Sequence, residues 1–226
     1  MNNCIVFDLD DTLYKERDYV YSGFRYLTTK VANGEEKIFH SMCNEFDRGG
    51  DAFGKLNALI NNPVPKEKLL ELYRNHMPDI SLPFESKRVL DILKENDIKI
   101  GLITDGRSIS QRNKINKLGL TNYFVNENII ISEEFGFSKP DIEPYKYFMG
   151  RYPDSNFIYI GDNTQKDFIA PKLLGWLSIG LVDNGKNIHK QNLQSNYLPD
   201  IWIKSLIDIV DSGFNADNSF FPLYRS

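Results

Sequence analysis

The chain has 226 residues, with 27 basic against 31 acidic side chains, a net charge of −4 and apolar residues at 41%. That is apolar enough for one ordinary domain with a smaller insert, and too apolar for a disordered chain. The bases are scattered, which excludes a phosphate-backbone surface and so a nucleic-acid partner, and no apolar run nears the roughly 18 residues that cross a bilayer, which argues against a membrane role.

Residues 4–7 (CIVF) are an apolar run, expected as a short buried strand, and they run straight into three crowded acids, Asp8, Asp10 and Asp11. Acids this early leave no secretory leader. Cys4 and Cys43 share no metal spacing and build no disulfide framework, so reduced thiols and a cytoplasmic location are expected.

Residues 15–82 lack strand alternation. Val20, Phe24, Leu27 and Val31 step by four, three and four, and Ile38, Met42 and Phe46 step by four. Phe53, Leu56 and Ile60, then Leu69, Leu72 and Tyr73, continue the helical spacing. Asn33-Gly34, Gly49-Gly50 and Pro63-Val64-Pro65 punctuate it. The pattern predicts an all-helical insert of roughly four helices over 15–82. The tyrosines near its start, Tyr14, Tyr19, Tyr21 and Tyr26, are expected in packing, with Tyr14 close to where the insert begins, and the turn at 48–51 either joins two helices or hangs near a binding mouth.

From Pro83 onward, short apolar runs at 98–103, 128–131, 157–160, 176–181 and 201–203 alternate with helical patterns at 85–96, 108–118, 144–151 and 165–174. Such alternation reads as βαβ units. The fold class expected is therefore α/β: a Rossmann-like parallel sheet with helices on both faces, built from 1–14 and 83–226, plus the helical insert. The tail after Phe214 is turn-rich, with Phe220, Phe221, Leu223 and Tyr224 expected to pack on the body at an unassigned place.

Ligands of open parallel sheets bind beyond the carboxyl ends of the strands. Asp8 and Asp10 stand at one such end, and Thr104, Asp105 and Gly106 at a second. Ser138 and Lys139 follow a third strand, and Asp162 and Asp167 follow a fourth. Hydroxyls, one amine and carboxylates gathered on one edge are what phosphoryl transfer requires. Mg²⁺ suits Asp8, Asp162 and a backbone carbonyl, because a hard cation takes oxygen ligands and cancels charge between a carboxylate and a phosphate dianion. One carboxylate can then attack phosphorus. Thr104, the amides of the Thr104-Asp105-Gly106 turn and Lys139 would hold the phosphate oxygens. Asp10 is placed to give a proton to the departing alkoxide and take one from water.

These residues resemble the haloacid dehalogenase superfamily of phosphatases. Its first motif, DxDx[TV], stands as DLDDT at 8–12, and its strand-borne Ser/Thr matches LIT at 102–104. Its lysine matches Lys139-Pro140, and its acid pair matches GDNTQKD at 161–167. The resemblance implies Asp8 as nucleophile and Asp10 as acid/base, with Mg²⁺ on the Asp8 carboxylate, the Asp10 carbonyl and Asp162, and Asp167 in support. It also implies that the insert is a C1-type cap hinged at 13–15 and 82–84, and that the partner is a small phosphorylated metabolite. Asp11 reads as a flap residue, and Asn163 as a helix cap or a neighbour of the nucleophile. Arg107 reads equally as solvent-facing or substrate-facing, and His40, His76 and His189 as ordinary. Three rival readings remain: dehalogenation, which the second aspartate of the motif opposes; a phosphomutase, whose related sugar enzymes carry glycine where Asp11 stands; and a non-enzymatic binding protein. Oligomeric state and substrate are not set by the sequence.

Overall fold

A computed structural model describes residues 2–211. Phe220, Phe221, Leu223 and Tyr224 therefore lie outside the described residues. β1 (Asn2–Phe7) is followed by four helices, α1 (Glu16–Val31), α2 (Glu36–Asp47), α3 (Ala52–Leu59) and α4 (Lys66–Asn75). The chain continues through α5 (Phe84–Glu95), β2 (Lys99–Thr104), α6 (Ser108–Lys117), β3 (Ile129–Ile131), α7 (Ser132–Phe135) and α8 (Glu143–Arg151). It ends with β4 (Ser155–Gly161), α9 (Ile169–Leu173), β5 (Leu177–Leu181), β6 (Ile201–Ile203) and α10 (Asp208–Asp211).

Among the described residues the strands form one sheet in the order β3-β2-β1-β4-β5-β6, with every pairing parallel. The strands read as continuous apolar runs because both faces are covered. Successive residues of β1 alternate between the faces. Ile5 and Phe7 pack with Val89 and Leu93 of α5 and Ile115 of α6. Cys4 and Val6 pack with Tyr145 and Phe148 of α8. Gly101 on β2 lets α8 approach, since a Cβ there would lie 2.3 Å from the Phe148 ring. Burial pushes the Cys4 thiol up to about 12, so it behaves as a small apolar group.

From β1 the chain order runs outward through β2 and β3 on one side and through β4, β5 and β6 on the other. The boundary between β1 and β4 is thus a topological switch point, the crevice where ligands of such sheets bind.

The four helices of the insert bury their own cluster, with Phe24 and Leu27 of α1, Met42 of α2, Leu56 of α3 and Leu69 of α4 at its centre. The insert meets the sheet body at named bonds. Ser110 Oγ donates to the Arg74 carbonyl at 3.2 Å, and Asn113 Nδ2 to the His76 carbonyl at 3.0 Å. Ser86 Oγ donates to the Leu13 carbonyl at 2.7 Å, which ties the outgoing and returning linkers together. The turn at 48–51 joins α2 to α3, and the Asp51 carboxylate caps α3 by accepting from Gly54 N at 3.0 Å.

One element is shorter than its periodicity predicts. The helix expected over 165–174 is helical only at Ile169–Leu173. The preceding residues are wound into a turn in which Asp167 accepts from the backbone N–H groups of Asp162 and Asn163. Among the described residues no helix is long and apolar enough to cross a membrane.

Candidate active site

The sheet ladder fixes the first aspartate. Asp8 N donates to the Ile160 carbonyl at 2.8 Å, one residue beyond the last β1–β4 pair, Phe7 with Ile160. Asp8 and Asp162 therefore leave neighbouring strand ends side by side, while Thr104 closes β2 on the other flank. Lys139 enters from the loop after α7. Its buried ammonium donates to Asp8 Oδ1 at 2.5 Å and pairs with Asp167 Oδ1 at 2.8 Å. Thr12 Oγ1 approaches Asp8 Oδ2 at 3.3 Å.

Asp167 is the fastener of this group. Besides Lys139, its Oδ1 receives Tyr159 Oη at 3.4 Å, and its Oδ2 accepts from Asp162 N at 3.1 Å and Asn163 N at 2.8 Å. A carboxylate has about four lone-pair sites, and all four are engaged, so Asp167 acts by holding Lys139 and the 161–163 turn. Gly161 makes this possible, because a Cβ there would come within 2.6 Å of Asp167 Oδ2. Asn163 lines the cavity and its Oδ1 accepts from Gln165 N at 3.0 Å.

Asp10 faces away from Lys139, toward α6 and the insert. Lys114 Nζ donates to its two oxygens at 2.8 and 3.0 Å, Tyr14 Oη to Oδ1 at 2.5 Å, and Gln111 Nε2 to Oδ2 at 2.9 Å. Gln111 Nε2 also donates to Thr104 Oγ1, linking the two strand ends. Burial pushes the Asp10 carboxyl up, but the Lys114 charge and these hydrogen bonds outweigh it and hold the group below its ordinary 3.8. Lys114 is itself buried, 3.8 Å from Glu16 and 4.3 Å over the Tyr19 ring.

Asp105 holds the lysine loop rather than standing free. Its Oδ1 accepts from Lys139 N at 3.0 Å and its Oδ2 from Lys166 Nζ at 2.8 Å. Gly106 N donates to Ser132 Oγ at 2.9 Å. Arg107 pairs with Glu133 at 3.3 Å and stays at the surface. Asp11 takes a left-handed φ of 58°, a conformation aspartate tolerates. Its carboxylate accepts from Glu16 N at 3.0 Å and Ile188 N at 2.8 Å. The Ile188 bond belongs to a strap, residues 183–192, that folds back over the strand ends. From it Asn187 Nδ2 donates to Asp162 Oδ2 at 2.7 Å while Asn187 Oδ1 accepts from Lys15 at 2.5 Å, and Gln191 donates to the Asp162 carbonyl at 2.8 Å.

A cavity of about 140 Å³ opens among Asp8, Asp10, Thr104, Asp105 and Asp162, with Glu16, Lys166 and His189 at its edge. None of the turn residues 48–51 lines it. Sequence reasoning missed Gln111, Lys114, Lys166, Asn187 and the position of His189. The first two sit three residues apart on α6, beside its apolar stripe, where polar side chains read as a solvated face.

The electrostatics show what the cluster lacks. Carboxylate oxygens of Asp8, Asp162 and Asp167 lie within 4.8 Å of one another, all buried. Against these three stands one buried ammonium, Lys139, which Asp167 and Asp8 keep charged although burial opposes it. Burial pushes the Asp8 carboxyl up to about 7. Burial, with the charge of Asp8, pushes Asp162 up to about 9. An all-oxygen donor set short of positive charge fits a hard divalent cation.

A parallel sheet with a switch-point crevice of acids, interrupted after its first strand by helices, is a Rossmann-like hydrolase core. The chain belongs to the haloacid dehalogenase-like hydrolases, whose family model matches residues 5–180. It is 30% identical over 223 residues to a glyceraldehyde 3-phosphate phosphatase from Methanocaldococcus jannaschii, covering 92% of this chain and 95% of that protein. It is 29% identical over 149 residues to the pyrimidine 5'-nucleotidase YjjG of Escherichia coli, covering 65% and 63%. Among solved structures, the HAD-hydrolase YfnB of Bacillus subtilis, bound to magnesium, superposes with a TM-score of 0.66 at 20% identity over 93% of this chain and 97% of that one. That likeness shows the fold.

Proposed function

We propose that this hydrolase is a Mg²⁺-dependent phosphatase that cleaves a small phosphate monoester through an aspartyl-phosphate on Asp8. The observation that carries the reading is the buried Asp8–Lys139–Asp167 chain beside Asp162, at the strand ends on one flank of a switch-point crevice whose other flank is Thr104. Full-length similarity to glyceraldehyde 3-phosphate phosphatases supports a small phosphorylated metabolite as substrate.

The Asp8 carboxylate, the Asp10 carbonyl and Asp162 would hold Mg²⁺, which would supply the positive charge that lets a carboxylate approach a phosphate dianion. In this scheme Thr104 Oγ, the Asp105 amide and Lys139 hold the phosphate oxygens, while the Gly106 amide is kept by Ser132 Oγ at 2.9 Å. An Asp8 oxygen attacks phosphorus as the bond to the alkoxide oxygen breaks, and Asp10 gives the alkoxide its proton. Water then attacks the phosphorus of the acyl phosphate, Asp10 takes the water proton, and the bond to Asp8 breaks to release inorganic phosphate. The Lys114 pairing matches the second half of this cycle, where Asp10 must be ionised; it has to loosen when Asp10 carries its proton. The helical insert acts as a cap that excludes water during the first transfer and admits it for the second.

Release of phosphate from p-nitrophenyl phosphate or from a small alkyl ester such as glycerol 3-phosphate with Mg²⁺, abolished by EDTA, is the direct test; no release from either ester contradicts the reading. Asp10→Asn separates the roles further. Its kcat is expected to fall at least about a hundredfold more for an alkyl ester than for p-nitrophenyl phosphate, whose leaving group needs no proton. Equal losses would remove Asp10 from the acid role.

Metal and pH are coupled with a definite sign. The Asp162 carboxyl titrates near 9 in the folded chain against an ordinary 3.8. A group raised in this way binds extra protons when folded, so its stabilising contribution is complete below 3.8 and is lost as pH rises through about 9. The metal-free protein is therefore expected to melt at lower temperature as pH rises, and Mg²⁺, which needs ionised ligands, to restore more at high pH than at low. At a hundred times Kd the gain is about 2.7 kcal/mol, roughly 5–10 °C for a chain of this size. A Tm gain that is the same at all pH values, followed by calorimetry, would contradict this ligand set.

A further inference from the structure

The charges around the cavity bear on which ester it accepts. Six of its lining residues are acids, with Asp11 and Glu16 on the insert side, against one lysine, Lys166, and one histidine, His189. The cations within reach are already committed. Lys139 pairs with Asp8 and Asp167, Lys166 with Asp105 at 2.8 Å, and Lys114 with Asp10 at 2.8 Å and Glu16 at 3.8 Å. Lys15 gives its ammonium to Asn187 and lines a neighbouring groove instead.

Building on the phosphatase reading, we propose that the site selects phosphate monoesters whose leaving group is short and carries no second negative charge, a small polyol or hydroxyaldehyde, and discriminates against esters bearing a carboxylate or a second phosphate. With the phosphate held at the strand ends, the far end of the substrate meets Asp11, Glu16 and His189. An uncharged hydroxyl there donates to a carboxylate or accepts from the imidazole. An added anion would be desolvated beside acids, with no uncommitted lysine or arginine among the described lining residues to receive it, which is how a site rejects a partner rather than merely failing to attract it. The cavity of about 140 Å³ equals the liquid volume of about five waters and lies well under the ~300–1,000 Å³ of ordinary ligand pockets, which limits the leaving group to a few carbons.

Matched esters test this at one pH above 8, where the Glu16 carboxyl that burial pushes up to about 8 is ionised, and at one Mg²⁺ concentration and ionic strength: glycerol 3-phosphate against 3-phosphoglycerate, and glycolaldehyde phosphate against phosphoglycolate. The member of each pair with the uncharged leaving group is expected to be favoured by about tenfold or more in kcat/KM, chiefly through KM. His189→Arg, which adds a cation at an exposed edge of the cavity, and Glu16→Gln, which removes an acid, should each narrow the ratio by raising kcat/KM for the carboxylate esters. A wild-type ratio near one, or a ratio unmoved in both variants, overturns the selectivity while hydrolysis of p-nitrophenyl phosphate stands. Failure to release phosphate from any ester, p-nitrophenyl phosphate included, overturns the selectivity and the phosphatase reading together.

Discussion

Asp8→Asn is expected to lower kcat for p-nitrophenyl phosphate by at least about 10⁴-fold while leaving the fold in place. The substitution keeps the size and shape of the side chain and removes only the anionic oxygen that would attack phosphorus. Stability should change little. Burial already disfavours the Asp8 charge, raising its carboxyl to about 7, so a neutral amide costs little there. Lys139 keeps its second partner, Asp167, at 2.8 Å. Steady-state kinetics together with a thermal melt reads both halves: turnover near wild type would remove Asp8 from the nucleophile role, and a collapsed Tm would show that the carboxylate is structural instead.

Lys139→Met has the second large effect, and it falls on stability as well as rate. The ammonium is the single buried cation between Asp8 and Asp167, both of whose side chains are nearly or fully excluded from solvent. Removing one partner of a buried ion pair costs about 3–5 kcal/mol, because the remaining charge has neither water nor counter-charge. For a chain of this length that is a fall in Tm of roughly 6–20 °C. Turnover should be lost too, since the phosphate oxygens lose their ammonium. The contrast with Asp8→Asn is the informative part: one variant is stable and inactive, the other unstable and inactive. A Lys139→Met protein that melts with wild type would show that Asp8 and Asp167 are already protonated or otherwise compensated.

The parts of this molecule legible in its sequence are those that local chemistry determines. A strand buried on both faces must be a short apolar run, so β1 to β5 carry such runs, and the half-buried edge strand β6 still reads as one at Ile201–Ile203. The helical insert is legible because Val20, Phe24 and Leu27 keep helical spacing on the face that packs. The strand-end acids are legible because parallel strands deliver their carboxyl ends to one edge, which makes the position of a residue after a strand a spatial statement.

What escaped the sequence is set by long-range contacts. Lys114 and Gln111 resemble the solvated face of a helix until α6 is laid against Asp10. The segment 165–174 carries a helical apolar pattern in Phe168, Ile169, Leu173 and Leu174, yet Asp167 reaches back to two N–H groups and the helix starts only at Ile169. His189, read as ordinary, comes to the cavity edge because the strap at 183–192 is pinned to Asp11 and Asp162 from residues roughly 30 to 180 positions away. Asp105 enters the sequence reading through the amides of its turn, and nothing there shows that its carboxylate is spent on Lys139 N and Lys166.

The central claim is that Asp8 itself becomes phosphorylated, and chemical trapping reads this directly. Quenching the protein during turnover with Mg²⁺ and an alkyl phosphate, then reducing with borohydride, converts an acyl phosphate to an alcohol. Peptide mass spectrometry is expected to find homoserine at position 8, only when substrate and Mg²⁺ are both present. Homoserine at another aspartate, or none in an enzyme caught while turning over, would contradict it.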